Sequence, residues 1–467
     1  MKKYDVIIIG GGPAGYVAAI RSSQLGNKTA IIENENLGGI CLNWGCIPSK
    51  ALIYAAGQYE KAHASDAIGI KMSDVSVDVD KMQDWKNGIV KKLTSGVKGL
   101  VKGNGADVAF GAAKLVSKNE VEVTDPDGKT TTYEATKGII VATGAQIINI
   151  PGFEPDGETI VDARAAVSLQ SAPESMMIVG GGVIGMELGM VYQKLGTKLT
   201  VVELMDQILP GTDKDLVKVV EKHFTKGDNP ATVLTKSKAK SVTVKEGNAK
   251  VVVETDGKDQ TFEVEKLLVC VGFRPNSKGL GLEEVGVKLD DRGHIEVNDK
   301  FETNVPGIYA IGDVTGLPYL AHKASKEGEI AAEVIAGHKG ALNDVVAMPA
   351  AIFTDPEIAT VGLTETAAKK AGKQQVNAEL DGAGWTPVYW ACRYGSYECL
   401  RHLLKWGADP RKANKRGWSP LFAAALHGHL DCVRFMLEDM GRRNRKMARC
   451  CNNKGMPRIR SLDASTE

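Results

Sequence analysis

The sequence predicts an α/β protein built on two doubly wound nucleotide-binding units and followed by an all-α segment. A glycine-rich strand–turn–helix pattern occurs twice, at an offset of 170 residues, and a different motif recurs at a spacing of 33 residues near the C-terminus. Between the two glycine-rich patterns, two cysteines stand at positions 41 and 46. The chain has 467 residues, enough for about three domains.

Composition places the chain among globular proteins. It is 43% apolar and 25% charged, contains 52 glycines, and has a formal net charge of +1, which gives no overall attraction to nucleic acid or membranes. Eight cysteines in a chain of this length do not indicate a secreted disulfide framework. We see no signal peptide and no apolar run that could span a bilayer, so we expect a cytoplasmic protein, and no metal site is predicted.

The first glycine-rich pattern starts with the apolar run 4–9, interpreted as a buried parallel strand. Gly10 fits a tight turn, Gly12 lets the backbone approach a pyrophosphate, and Gly15 lets the helix pack on the strand. The helix N-terminus attracts phosphate, and Glu33, at the end of the next strand, can accept from ribose hydroxyls. One such pattern is weak support for a nucleotide site, because glycine-rich turns are common.

The same elements recur between Met176 and Glu203. Gly180, Gly182 and Gly185 take the places of the first three glycines. Because strand, loop, helix, strand and acid recur together, the sequence predicts a second Rossmann-like dinucleotide site. Glu203 would accept from a 2′-hydroxyl and repel a 2′-phosphate, so this site should prefer NAD over NADP.

Cys41 and Cys46 lie in the run Gly-Gly-Ile-Cys-Leu-Asn-Trp-Gly-Cys-Ile-Pro-Ser-Lys. Two thiols just after a dinucleotide unit suggest a redox disulfide that exchanges electrons with a bound cofactor. The alternative is a pair of buried thiols, since free cysteine is among the most buried residue types. The two nucleotide patterns favour the redox disulfide.

These residues resemble the flavoprotein disulfide reductases, most closely the dihydrolipoamide dehydrogenases. The resemblance covers residues 1 to about 374 and includes three further runs, Ala-Thr-Gly at 142–144, Gly-Phe-Arg-Pro-Asn at 272–276 and Tyr-Ala-Ile-Gly-Asp at 309–313. Glutathione reductases share the architecture but use NADP, so Glu203 argues against them. The resemblance implies four parts: an FAD-binding domain over 1–150, an NAD-binding domain over 151–272, a central domain completing the FAD site over 273–346, and a truncated α+β interface domain over 347–374.

The resemblance also implies a reaction and roles for single residues. Hydride would move between NAD(H) and FAD, and two electrons between FAD and the disulfide, which would exchange with a lipoamide-type dithiol. Cys46 would face the flavin, Cys41 would meet the substrate, and Lys50 and Glu187 would pair beside the flavin N5. The residues implied to bind FAD and NAD are Gly10, Gly12, Gly15, Glu33, Thr143, Gly144, Gly180, Gly182, Gly185, Glu203, Gly272, Asp313 and Ala321.

The resemblance to the reductases stops at residues 373–377, inside the interface domain. In that family the domain makes the homodimer and supplies a His–Glu pair to the partner's disulfide. Most of it is missing, so the homodimer is in doubt and the thiol half-reaction is expected to be impaired. The remnant 347–374 keeps an apolar strand and a helix without the sheet that should cover them, so we expect an uncovered apolar face there. His322 matches a family histidine near the flavin and not the family's base.

The remainder of the chain carries the 33-residue spacing. Gly-Trp-Thr-Pro at 384–387 recurs as Gly-Trp-Ser-Pro at 417–420, and Cys399 and Leu404 recur as Cys432 and Leu437. This resembles two ankyrin repeats over 377–441, which could bind a protein partner. His427 and His429 fit the repeat pattern and not a replacement catalytic base.

A basic tail follows over 442–467 and is expected to be disordered. We interpret its basic run as a solvated, frayed capping helix in preference to a segment that binds nucleic acid. Cys450 and Cys451 resemble the vicinal pair of mercuric reductases, and their role stays open.

Three functions stay open for the whole chain. The favoured one is an FAD- and NAD-dependent oxidoreductase of the dihydrolipoamide dehydrogenase type, impaired toward lipoamide. The second is an ankyrin-mediated binding protein with the flavin domains as sensor or scaffold. The third is an artificial or misassembled fusion without native activity. The change of family inside a domain, with no Gly/Ser/Pro linker, favours a fusion as the origin but does not decide activity.

Overall fold

The computed structural model describes residues 1–338, 343, 348–371, 375–380 and 383–452. The chain divides into two compact units, Met1–Val361 and Gly362–Glu467. Within the described ranges, no helix combines the length and the apolar character needed to cross a membrane.

Unit 1 contains all the strands of the described residues. In chain order they are β1 (Lys2–Ile9), β2 (Thr29–Glu33), β3 (Asp107–Phe110), β4 (Ala112–Leu115), β5 (Glu120–Thr124), β6 (Thr130–Val141), β7 (Ala145–Ile147), β8 (Ile160–Val161), β9 (Ser175–Val179), β10 (Lys198–Val202), β11 (Thr232–Leu234), β12 (Ser237–Lys245), β13 (Asn248–Thr255), β14 (Lys258–Val264), β15 (Lys266–Val269), β16 (Phe273–Pro275), β17 (Ile308–Ala310), β18 (Pro349–Ile352) and β19 (Ile358–Val361).

The helices of unit 1 lie between these strands. They are α1 (Pro13–Gln24), α2 (Gly39–Asn43), α3 (Cys46–Ala64), α4 (Val79–Gly103), α5 (Ala163–Ala166), α6 (Val183–Lys194), α7 (Lys214–Phe224) and α8 (Ala321–Ile335). Short 3₁₀ turns cover Ser65–Ile68 and Gly312–Thr315.

Two mostly parallel sheets organise unit 1. The first has the order β3-β2-β1-β6-β5-β4, with β17 also paired to β6, and the second has the order β11-β10-β9-β15-β8. The central strands β1 and β9 are apolar and buried on both faces, as parallel strands covered by helices require. Because β17 joins the first sheet from far along the chain, it brings the residues after Ala310 to the end of β1 and β6.

The sequence duplication is visible in strand register. In the first sheet Ile7 of β1 pairs with Ala30 of β2. In the second, Met177 of β9 pairs with Thr200 of β10. Both residues of the second pair lie 170 positions after their counterparts in the first. The duplicated sequence therefore folds into duplicated backbone, with one glycine-rich turn after each central strand.

The strand pair β18–β19 belongs to unit 1. This pair is part of the predicted interface-domain remnant, in which we expected an apolar surface without a cover. Ile352 and Ile358 instead pack into the core beside α3 and α6. Val361, at the end of β19, is exposed. The apolar side chains of this strand pair are therefore partly buried against unit 1 and partly exposed.

Unit 2 is helical over its described residues. Its helices are α9 (Glu365–Ala371), α10 (Pro387–Arg393), α11 (Tyr397–Lys405), α12 (Pro420–Leu426) and α13 (Leu430–Asn452), with a 3₁₀ turn at Gln375–Asn377. Helices α10–α11 and α12–α13 form two helix pairs around one core.

The same N-terminal signal starts α10 and α12. Thr386 and Ser419 each accept a hydrogen bond from the backbone N–H three residues later, at 3.2 and 3.1 Å, and a proline follows each cap. Helix α13 continues to Asn452, so the first part of the predicted tail has a helical backbone; residues 453–467 lie outside the described residues.

Candidate functional site

The two glycine-rich turns have matching geometry. Gly10 has φ +106° and Gly180 has φ +107°, values that side chains other than glycine rarely adopt. A Cβ atom at Gly10 would lie 2.3 Å from the Ala142 carbonyl oxygen, and one at Gly180 would lie 2.3 Å from that of Cys270. Glycine is therefore required twice by the backbone of the same fold.

The other glycines of each pattern either let the helix pack closely on the turn or leave open space beside the start of the helix. A Cβ atom at Gly15 or Gly185 would overlap the preceding turn, at 1.9 and 2.3 Å from the carbonyl oxygens of Gly10 and Gly180. Gly182 instead has φ −72° and nothing within 4 Å of a Cβ position. Space beside the N-terminus of a helix is what a pyrophosphate needs, so the turns fit dinucleotides.

A carboxylate closes each turn. Glu33 accepts from the Gly11 N–H at 2.6 Å and the Glu35 N–H at 2.8 Å. Glu203 accepts from the Gly181 N–H and the Met205 N–H, both at 2.7 Å. Burial raises the pKa of Glu33, and these backbone donors oppose that rise. The two acids are thus held in the same way at the ends of β2 and β10.

The first turn opens into a cleft of about 1130 Å³. The predicted residues that line it are Gly10, Gly12, Glu33, Cys41, Cys46, Lys50, Thr143, Gly144, Glu187, Asp313 and Ala321. The structure thus brings residues from five separate parts of the sequence to one cavity. Gly15 is not among the lining residues, in keeping with its packing position below the turn.

Cys41 and Cys46 form a disulfide, with their Cα atoms 4.5 Å apart. Cys41 lies in the short helix α2, and Cys46 is the first residue of the 19-residue helix α3. The two helices meet at Gly45, whose N–H donates to the Ile40 carbonyl at 2.6 Å. Both sulfur-bearing residues are partly exposed and line the cleft.

Lys50 lies one helical turn after Cys46, on the same side of α3. Its Nζ donates to Oε2 of Glu187 at 2.7 Å and lies 4.7 Å from the ring centroid of Phe353. Glu187 is 3% exposed, and its other oxygen accepts from the Phe353 N–H at 2.9 Å. The buried Glu187 carboxylate therefore holds the Lys50 ammonium in place on α3, the helix that begins at Cys46.

Asp313 follows β17 at the same end of the first sheet. Burial raises the pKa of its carboxyl to about 6, a shift that Lys323 opposes and Glu327 reinforces. Glu327 accepts from the Gly312 N–H at 2.6 Å and pairs with Lys323 at 3.1 Å. Glu327 and Lys323 were not among the predicted site residues, although their four-residue spacing on α8 could have indicated an ion pair.

The second turn opens into a separate cleft of about 580 Å³, lined by Gly180, Gly182, Glu203 and Gly272. Gly185 again lies below the turn and not on the cleft. Val183, Ile184 and Phe273 line both clefts. The two nucleotide-type sites therefore share one wall.

Among the described residues, His322 is the histidine that lines the first cleft. Its Nε2 donates to the Pro349 carbonyl at 2.7 Å. His429, in unit 2, contacts the Arg393 carbonyl at 3.0 Å, a packing role within the repeats.

One group in the described chain has metal-ligand character: Glu60, His223 and Asp355. Lys194 lies 2.5 Å from both carboxylates of this group, so it is an ion-pair cluster as it stands.

Residues 4–328 match the pyridine nucleotide-disulphide oxidoreductase family. The chain is 45% identical over 377 residues to a dihydrolipoyl dehydrogenase of Geobacillus stearothermophilus, covering 80% of this chain and 79% of the relative. The Bacillus subtilis dihydrolipoyl dehydrogenase is also 45% identical, over 376 residues and the same shares of both chains.

Two solved structures have the same fold. LpdA from Mycobacterium tuberculosis aligns with a TM-score of 0.73 and 30% identity, over 79% of this chain and 80% of that one. The HOCl-induced flavoprotein disulfide reductase RclA from Escherichia coli, solved as a Cu(II) complex, aligns with a TM-score of 0.70 and 26% identity, over 81% and 83%. Residues 348–447 match ankyrin repeats (3 copies), a span that begins before the first helix pair.

Proposed function

This chain belongs to the pyridine nucleotide-disulphide oxidoreductase family, and we propose that it passes electrons between NAD(H) and a lipoamide-type dithiol through FAD and the Cys41–Cys46 disulfide. The observation that carries the proposal is that this disulfide lines the same cleft as the first glycine-rich turn. The family match confirms the predicted resemblance, the α/β fold class with C-terminal ankyrin repeats, and the cofactors FAD and NAD(H).

The first cleft suits FAD. Gly10, Gly12 and Glu33 would hold its pyrophosphate and ribose, with Asp313 at the opposite side of the turn. The second cleft would hold NAD(H) against Gly180, Gly182 and Glu203. FAD, when bound, supplies the two-electron chemistry that links a nicotinamide to a disulfide.

The chain's own residues stabilise the reduced cysteine pair. Cys46 stands at the N-terminus of α3, where unpaired N–H groups and the helix dipole favour a thiolate. The Lys50 ammonium, one turn along, adds a positive charge on the same side. Glu187 fixes that ammonium, and the Phe353 N–H fixes Glu187.

The family resemblance assigns the base of the thiol half-reaction to the interface domain, of which this chain matches only the first part. Among the described residues, His322 is the histidine on this cleft, and its Nε2–H donates to the Pro349 carbonyl; the chain covers 79% of the Geobacillus stearothermophilus relative. We therefore propose that exchange with a dithiol is slower than reduction of the disulfide, because thiolate formation needs a nearby base.

An anaerobic titration with NADH tests this function. We expect an FAD-loaded protein whose disulfide, once reduced, releases two thiols per chain that react with a thiol reagent. A Cys46→Ser variant should retain FAD and NADH binding and release none of these extra thiols. A flavin-loaded wild-type protein that is reduced by NADH without exposing new thiols would refute the proposed role of Cys41–Cys46. Failure to obtain any flavin-loaded protein would favour the fusion hypothesis.

The repeats support a second function. Residues 348–447 match ankyrin repeats, and the two helix pairs of unit 2 present exposed aromatic side chains, among them Tyr394 and Trp418. We propose that the segment 377–441 binds protein, in addition to the redox activity of unit 1.

A further inference from the structure

A series of hydrogen bonds joins three side chains beside the first cleft. Nδ1 of His294 lies 2.9 Å from Oδ2 of Asp290, and Nε2 of His294 lies 2.8 Å from the hydroxyl oxygen of Tyr319. Tyr319 lines the first cleft, whereas Asp290 and His294 are not among its lining residues. The phenol is therefore the end of this series that meets the cleft.

The Asp290 end of the series is fixed by the backbone. Oδ1 of Asp290 accepts from the N–H groups of Arg292 and His294, both at 2.8 Å, so Oδ2 is left for the imidazole. Burial opposes ionisation of Asp290, but the bonds from His294 and Arg292 outweigh it and lower the pKa of this carboxyl. Asp290 is therefore a carboxylate at neutral pH, and a carboxylate only accepts hydrogen bonds.

This carboxylate sets the direction of the other bonds. Because Asp290 only accepts, Nδ1 of His294 carries a proton, and in the neutral imidazole Nε2 is then the acceptor. The Tyr319 hydroxyl therefore donates to Nε2. Burial, and then the charges of Asp313 and Asp290, raise the pKa of Tyr319, so the phenol keeps its proton. With that proton directed at His294, the phenol oxygen presents lone pairs to the cleft.

The phenol lies close to the carboxylate of Asp313. The N–H of Ile295 donates to the Val314 carbonyl at 2.9 Å. This bond ties the turn that contains His294 to the segment that contains Asp313. The charge of Asp313 acts on Tyr319, and both residues line the first cleft. The cleft therefore presents two hydrogen-bond acceptors together, a carboxylate and a phenol oxygen.

Two neighbouring acceptors select a ligand group that donates. A phosphate brings oxygens and negative charge, which the Asp313 carboxylate repels, whereas a sugar hydroxyl brings an O–H. FAD carries such hydroxyls on its ribose and on the ribityl chain of the flavin. The proposed function assigns the ribose to Glu33 at the end of β2, so the ribityl chain is the part left for the segment after β17.

We propose that Tyr319 is a further FAD-binding residue, which accepts a hydrogen bond from a ribityl hydroxyl, and that His294 and Asp290 position its phenol. This inference rests on the proposed FAD site in the first cleft. Because His294 and Asp290 act through Tyr319, their effect on FAD affinity should vanish when the phenol hydroxyl is absent.

Titration of the flavin-stripped full chain with FAD, followed by flavin fluorescence, tests this assignment. We expect Tyr319→Phe to raise the dissociation constant of FAD roughly three- to tenfold, which corresponds to one neutral hydrogen bond. Tyr309→Phe is the matched control, since Tyr309 is a buried tyrosine on β17 that is not among the residues lining the cleft. It should leave the dissociation constant unchanged.

Two substitutions of His294 separate positioning from stability. The amide of His294→Gln can still accept from the phenol at the place of Nε2, whereas that of His294→Asn is too short to reach it. We expect His294→Asn to raise the FAD dissociation constant roughly threefold or more, and His294→Gln to restore most of the affinity. Adding His294→Asn to Tyr319→Phe should have no further effect. Circular dichroism of the flavin-free variants shows whether each one folds, and Tyr319→Phe, which removes a single oxygen, carries the test if His294→Asn does not.

The outcomes distinguish this inference from the function on which it rests. If the wild-type chain binds FAD and Tyr319→Phe binds it equally well, the inference alone is overturned, and the hydrogen bonds are a structural tie. Additive effects of His294→Asn and Tyr319→Phe would overturn the positioning role. A wild-type chain that binds no FAD would overturn both the inference and the proposed function.

Discussion

Lys50 donates from its Nζ to Oε2 of Glu187 over 2.7 Å, and this bond joins the helix of the disulfide to the helix of the second glycine-rich turn. Lys50 lies on α3 and Glu187 on α6, 137 residues apart in sequence. This ion pair therefore connects the two halves of the duplicated fold at the cleft that contains the cysteines.

We expect Lys50→Met to slow reduction of the disulfide by about 10²-fold, because it removes the cation that Glu187 holds one helical turn after Cys46. Stopped-flow thiol release after mixing with NADH measures this step. Lys61→Met is the matched control, since Lys61 is an exposed lysine on the same helix. An equal loss of rate in both variants would show that Lys50 acts through the stability of α3 and not through its charge.

Turnover with dihydrolipoamide should be lower than that of a full-length relative by at least about 10²-fold, because a positioned base contributes ~10²–10⁴ in rate. Electron flow from NADH to a small dye should fall much less, since a dye can be reduced without proton transfer at Cys41. Assays with both acceptors on the same preparation give the ratio. Lipoamide turnover at the level of the relatives would contradict the proposed impairment.

Gly182→Ala should weaken NADH binding without destabilising the protein. Its φ of −72° suits alanine, and a Cβ atom there has nothing within 4 Å, so it would project into the space for the pyrophosphate. We expect the KM for NADH to rise at least about tenfold with an unchanged melting temperature.

Gly180→Ala is the contrasting variant for that experiment. At φ +107° its Cβ would lie 2.3 Å from the Cys270 carbonyl, so it should lower stability by roughly 1–3 kcal/mol. If both variants lost stability equally, the distinction between a structural and a ligand-facing glycine would be wrong.

Asp313→Asn should stabilise the cofactor-free protein at pH 8. Burial raises the pKa of Asp313 from 3.8 to about 6, so the folded state disfavours the charged form. The native carboxylate then costs most above pH 6, and the cost disappears as the pH falls toward 4. We expect a gain of about 1–3 kcal/mol at pH 8 that is smaller at pH 5.

Chemical denaturation of both proteins at the two pH values measures the gain. FAD affinity serves as the second readout, since Asp313 lines the cleft. A gain that is the same at pH 5 and pH 8 would mean that the charge of Asp313 is not its cause.

The duplicated turns could be predicted from sequence because their determinants are local. Gly10 and Gly180 are fixed by a carbonyl group that each turn must approach, and the glycine spacing records that constraint directly. The cysteine pair is local in the same sense, since its members are five positions apart in the sequence. Their roles as site residues remain predictions.

The rest of the site depends on contacts between distant segments. The bond between Phe353 and Glu187 spans 166 residues, and no periodicity in either segment indicates it. The partial burial of β18–β19 against α3 and α6 was missed for the same reason. The exposure of Phe422 could not be predicted from the sequence either. Phe422 occupies the same place in its repeat as the buried Tyr389, and the two differ only in which helix pair packs over them.

Glu33 and Glu203 each accept one backbone N–H hydrogen bond at each of their two carboxylate oxygens, and each oxygen keeps a lone pair for a ribose hydroxyl. Each side chain has thus lost its rotational freedom during folding, before any nucleotide arrives. A ribose would meet an acceptor that is already aimed, and a 2′-phosphate would meet a negative charge that cannot rotate away. The preference for NAD over NADP would then exist before the nucleotide binds, because Glu203 is both negatively charged and fixed in position.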